Sequence, residues 1–164
     1  MAHAMLRARR APGRGDDRGA VAVEFALIVP ILVLLVFGII SYGYMLSFRQ
    51  AVSQAAAEGA RAAAISASST SDAQRAVAAR AAITDALGSY GVTCTGSGVG
   101  SSALTRSGEG NVGSCTVERT SCEGNSCFKV TIAYDYEDHP LLPSLYTDVV
   151  LPDTLTYSTE VRVS

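Results

Sequence analysis

From position 25 to 48 the chain reads FALIVPILVLLVFGIISYGYMLSF, an unbroken charge-free run set directly behind one acid, Glu24. At about 1.5 Å per helical residue this run reaches about 36 Å, enough to cross a bilayer with some tilt. A cleavable signal peptide has an apolar region of about 7 to 15 residues ahead of a small-residue site, so this run is too long for one. Behind it, RQAVSQAAAEGARAAAISAS keeps a strong helical preference with Gly59 as its one weak position. The spanning helix is therefore expected to continue outward. Ala51, Ala55, Gly59, Ala63 and Ala67 recur every fourth residue and form a stripe of small side chains. Such a stripe suits close lateral helix packing, and an alanine-rich helix also makes one by composition alone.

Ser68, Ser69 and Thr70 break the rod, and Ser71-Asp72-Ala73-Gln74 reads as a capping box opening a second helix. Ala76, Ala79, Ile83, Ala86 or Leu87, and Tyr90 give that helix an approximate apolar period, Arg75 and Arg80 supply solvent-facing charge, and Gly88 supplies a stop. The stretch 96–114 is rich in Gly and Ser with few sizeable apolar residues, among them Val99 and Leu104, and reads as a flexible loop between two cysteines. Phe128, Val130, Ile132, Tyr134 and Tyr136 alternate with Lys129, Thr131, Ala133 and Asp135, the period of a strand buried on one face. Leu155, Tyr157, Val161 and Val163 alternate likewise at the end, and short strands around 91–95 and 115–120 complete a small sheet. Between the two clear strands, the prolines of HPLLP impose an irregular crossing. The predicted fold class is α+β: a long N-terminal transmembrane helix continuing outside, a second shorter helix, and a small, mainly antiparallel sheet with disulfides.

Charge orients this arrangement. Arg7, Arg9, Arg10, Arg14 and Arg18 precede the apolar run, whereas Arg49 and Arg61 alone follow it closely, so the leader is expected in the cytoplasm and the C-terminal part across the membrane. Beyond Gly19 the chain carries 8 Lys and Arg against 13 Asp and Glu, and no basic patch points to nucleic acid. Cys94, Cys115, Cys122 and Cys127 all fall in the exported part, where an oxidising compartment permits two disulfides. Three pairings are open, and a thiolate zinc site is the rival reading, weakened by the lack of a C-x-x-C pair and of a nearby histidine. A Cys94 to Cys115 bridge would contribute about 3 kcal/mol by loop closure. His139 has no nucleophile motif beside it, and Asp135, Glu137 and Asp138 read as solvated charge rather than paired carboxylates. No phosphate loop or metal constellation appears, so neither catalysis, metal nor cofactor is expected. Tyr42 and Tyr44 read as interfacial anchors, and Leu141, Leu142, Leu145 and Tyr146 as core filling or a docking surface.

An acid beside a membrane span needs a reason, since burying it there is costly. Here Glu24 is preceded by Gly19 and a neutral AVAV spacer and followed by Phe25. With the alanine-rich extension and the strand pattern V-x-I-x-Y-x-Y ahead of Y-S-T-E-V-R-V-S, the chain resembles the TadE-like pseudopilins, minor pilins of tight-adherence (Tad) pilus machinery. The resemblance rests mainly on positions 18–64. It implies cleavage by a prepilin peptidase between Gly19 and Ala20, so that Ala20 becomes the new N-terminus and Glu24 and Phe25 become the fifth and sixth mature residues. It also implies a non-enzymatic component of pilus assembly or secretion, with the peptidase, the inner assembly platform and other pilins as partners. The expected organisation is a cytoplasmic basic leader 1–19, a pilin-like helix 20–68 and an extracytoplasmic α+β domain 69–164. The alternative is a signal-anchored surface binding module whose leader is never cut.

Overall fold

The computed structural model describes residues 16–66, 70–142 and 152–163. Most of the leader, the Ser68-Ser69 break and the Leu145-Tyr146 pair lie outside them. The chain forms two compact units that divide between Ile40 and Ser41. The helix α1 (Asp16–Ile65) is assigned across that division, with Pro30 inside it. In the first unit the described residues are helix alone, and its large apolar side chains are exposed.

The second unit packs the rest of α1 and a second helix, α2 (Asp72–Leu87), on one face of a five-stranded sheet. The strands are β1 (Val92–Cys94), β2 (Gly100–Arg106), β3 (Gly110–Cys122), β4 (Asn125–Asp135) and β5 (Thr154–Arg162). They pair antiparallel in sequence order. β4 buries Phe128, Val130, Ile132 and Tyr134 in the alternation its sequence predicts, and Leu155 of β5 joins them. From α1 come Met45, Phe48, Val52 and a row of alanines, and from α2 come Ala76, Ala79, Ile83 and Leu87. The alanine faces are narrow, so the bulk of the apolar volume is supplied by the sheet.

The small-residue stripe has an intramolecular use. Ala55, Gly59 and Ala63 are buried inside this unit, and a Cβ added at Gly59 would lie 2.8 Å from Ile83 Cγ1 and 3.3 Å from the Ala79 carbonyl. Gly59 thus sets how closely α1 and α2 approach. The capping box at the start of α2 is present: Ser71 Oγ accepts from the Gln74 amide and Gln74 Oε1 accepts from the Ser71 amide.

Two expectations are corrected. The stretch 96–114 is not a loop, because β2 and the first part of β3 form a hairpin whose Leu104 and Val112 are fully buried. Its glycines serve the sheet: Gly113 sits at φ +150°, where a Cβ would run into the Ala133 carbonyl of β4. As expected, α2 stops with Gly88 as its C-cap, although Gly88 stays right-handed; a single 3-10 turn, Gly88–Tyr90, follows, and Gly91 takes the left-handed position at φ 69°. Arg75 and Arg80 do not face solvent, being 4% and 3% exposed. Arg75 Nη1 donates to the Ala63 carbonyl at 2.8 Å, satisfying an acceptor in the last turn of α1. Arg80 donates from Nη1 to Gly98 O and from Nη2 to Gly100 O, so it holds the lead-in to β2. Burial pulls the Arg80 pKa below its usual value.

The cysteines form two pairs at disulfide distance. Cys94 and Cys115 tie β1 to β3 with a Cα separation of 6.0 Å, and Cys122 and Cys127 tie the arms of the β3–β4 hairpin at 5.8 Å. Both separations match the usual range. Of the three pairings the sequence allows, this is the one the fold brings together.

Candidate functional site

The N-terminal stretch that the sequence singles out lies on the first turns of α1. Gly19, Ala20, Glu24 and Phe25 are helical and exposed, and nothing lies within 4 Å of a Cβ placed at Gly19. Ala20 and Glu24 are four residues apart, so they share a helix face, and the side-chain tilt toward the N-terminus aims Glu24 back over the turn that begins at Ala20. Among the described residues Glu24 has no ion pair. The helix is long and apolar enough to cross a membrane, its most apolar 18-residue window having a mean hydropathy of 2.9 and no buried residue.

A family comparison covers this same stretch. Residues 19–61 match the TadE-like protein family. Comparison with curated proteins and with solved structures finds no match. The TadE-like segment begins at Gly19 and ends at Arg61, so it takes in the apolar helix and most of the helical face that enters the second unit's core, and leaves the sheet outside. Together with the apolar helix it fits a single-pass membrane-anchored protein associated with the Tad pilus, in a family that is generally non-enzymatic.

The sheet outside the TadE-like segment carries one polar network that the sequence reading did not single out. At the β2–β3 turn, Arg106 bonds Glu109, donates to Tyr134 Oη at 2.6 Å and reaches the His139 carbonyl at 3.2 Å. Tyr134 Oη donates to that same carbonyl at 2.8 Å, and His139 Nδ1 lies 3.2 Å from Glu109 Oε2. The one local signal was an Arg-x-x-Glu pair flanking Ser107-Gly108, which by itself points neither to a hairpin nor to a histidine thirty residues on. These bonds clamp the β2–β3 turn to the segment after β4. Asp135, Glu137 and Asp138 do not converge on a ligand site either; the Asp135 carbonyl accepts from the His139 amide, and Glu137 and Asp138 are exposed.

Among the described residues, one group of ligand-type atoms gathers within 4.8 Å, namely Cys122, Cys127 and Glu160. Its two sulfurs are paired with each other, which leaves one carboxylate. A groove of about 190 Å³ bordered by Asp72, Arg75, Arg119 and Ser126 is smaller than the roughly 300 to 1,000 Å³ of small-molecule sites, and the Arg119 to Asp72 ion pair at 3.0 Å occupies its polar wall.

Burial raises the pKa of the Tyr134 and Tyr136 phenols, with Arg106 opposing part of the rise. The folded state therefore holds these protons more tightly than the unfolded chain. The resulting stability is fully present below the ordinary tyrosine value of about 10 and is lost as pH climbs through the raised native values. Circular dichroism followed from neutral to strongly alkaline pH is expected to show unfolding above about pH 10, and Tyr136→Phe is expected to move that transition upward.

Proposed function

We propose that this chain is a pilin-like minor component of a Tad-type pilus or secretion assembly, made as a precursor and cut by a prepilin peptidase between Gly19 and Ala20. The observation that supports it most directly is that the TadE-like match starts at Gly19, with Glu24 and Phe25 at the mouth of the apolar helix. The leader stays on the cytoplasmic side, the sheet-bearing unit lies outside, and the protein acts without catalysis by packing its helix among other pilins at the assembly platform. After cleavage, the new amine on Ala20 is cationic at neutral pH and Glu24 offsets it, within the subunit or from a neighbour, as the helix enters an apolar bundle.

Cleavage is read by N-terminal sequencing or mass spectrometry of the membrane-associated protein. The mature start is expected at Ala20, and Gly19→Leu is expected to leave the precursor uncut. Because a side chain at Gly19 meets open space in the fold, loss of cutting in this variant reports peptidase recognition and not misfolding. An intact arginine-rich leader on the native protein would instead favour the plain signal-anchored surface module.

A further inference from the structure

The apolar run spans 25–48 in the sequence, but the fold claims its last turn. Met45 and Phe48 are 2% and 0% exposed and belong to the core of the second unit. That leaves 25–44 for lipid, about 30 Å of helix, which equals the hydrocarbon thickness with nothing to spare. Ser41, Tyr42, Gly43 and Tyr44 are the only residues between the end of the first unit and the first core side chain. No hydrophilic spacer separates the membrane boundary from the folded core.

A second element reaches this level. The 3-10 turn after α2 brings Tyr90 against the same turn of α1: its ring meets Tyr44 edge-on at 5.8 Å and Phe48 at 5.0 Å, and its hydroxyl lies 3.0 Å from Ser47 Oγ. Tyr42 and Tyr44 remain well exposed and Tyr90 partly so. Phe48 also packs on Tyr134 and Tyr136 near the end of β4, and Tyr136 bonds the backbone of Leu141 beyond it. One end of the sheet thus faces the same level as Tyr44.

We infer that the second unit is seated on the bilayer surface by an aromatic collar of Tyr42, Tyr44 and Tyr90, the inference resting on the single-pass anchoring described above. Tyrosines favour this zone because the ring sits among acyl ends while the hydroxyl stays with headgroups and water. Charge decides which lipid. The same sheet end carries Glu109, Asp135, Glu137, Asp138 and Asp153 against Arg106, His139 and, on α1, Arg49. An acidic rim disfavours anionic headgroups, so the contact is made by rings on a zwitterionic phosphatidylcholine interface and is insensitive to salt.

The chain has no tryptophan, which allows single reporters in the full-length protein. Tyr90→Trp and, at the adjacent exposed position, Ser89→Trp are placed in phosphatidylcholine vesicles brominated at shallow or deep acyl carbons. Leu35→Trp serves within the span and Ser121→Trp at the opposite end of β3, up to roughly 40 Å along the strand. The collar predicts that the residue 89 and 90 reporters lose more emission with shallow than with deep bromines, that Leu35→Trp is quenched by deep ones, and that Ser121→Trp is quenched by neither. Quenching at Leu35 without quenching at 89 and 90 overturns the collar and leaves anchoring intact. Quenching at Ser121 as strong as at 89 also overturns it, and an unquenched Leu35→Trp removes the anchoring and the collar together. Since Ser89→Trp leaves the Tyr90 contacts in place, failure of the Tyr90 variant to fold does not decide the matter.

Discussion

Glu24→Ala is expected to be cut and inserted like the native chain yet to lose at least roughly 100-fold in its incorporation beside other pilins. The estimate follows from the cost of leaving one member of a buried charge pair alone, about 3 to 5 kcal/mol, at about 1.4 kcal/mol per tenfold in the equilibrium. Here the stranded member would be the new amine of Ala20. The isolated subunit offers no compensating loss, because Glu24 is exposed and has no ion pair among the described residues. Thermal stability of the second unit should therefore be unchanged, which separates this defect from misfolding. Glu24→Asp, with its charge kept on a shorter arm, is expected to fall between the two. The measurement is the fraction of subunit recovered in sheared pili or with co-purified partners, compared at equal precursor cleavage. Normal recovery of the Ala variant would end the registering role proposed for this carboxylate.

The largest loss of stability is expected at Gly59. Gly59→Leu must drive a side chain into Ile83 and toward the Ala79 carbonyl, and overpacking of this kind costs about 3 kcal/mol at the upper end of its usual range. For a unit of this size that corresponds to a fall of about 10 °C in the melting temperature. Gly59→Ala is expected to lose less, since its single methyl must still move the buried Ile83 from 2.8 Å while about 1 kcal/mol of helix propensity over glycine offsets part of that cost. Coupling gives the sharper check: Ile83→Ala opens the space that the leucine needs, so the double variant should be less damaged than the two single losses added together. Additive losses would mean that the α1–α2 approach is not set by this contact.

Gly59 also marks how far the sequence could be read. The fourfold spacing of small residues was plain, but spacing does not say which partner a face receives, and the partner is α2 of the same chain. The α+β class, the capped second helix and the alternation of β4 and β5 were legible because each follows from a local period. The hairpin of 96–114 was not, since its glycine content argues for a loop whenever composition alone is weighed. What overrides composition there is tertiary: Leu104 and Val112 enter a core supplied by distant elements, Cys94 bonds Cys115, and Arg80 holds the carbonyls of Gly98 and Gly100. Arg75 and Arg80 misled for a related reason. A guanidinium on an amphipathic helix ordinarily points to water, and only the three-dimensional fold reveals backbone acceptors within its reach. The candidate site, 19–25, was named from the sequence alone, because the cleavage motif proposed there is a feature of the chain before folding.

The strand order has a consequence for how the second unit folds. Since each strand pairs with its neighbour in sequence, the sheet can grow strand by strand as the polypeptide is made, with short connections through β4 and one longer closure, 136–153, before β5. A more distant contact, that of Tyr134 with Phe48 across 86 positions, needs only β4 to have formed, and Phe48 has by then long been delivered. The part of α1 that carries Phe48 thus acts as a waiting template for the strands that follow it.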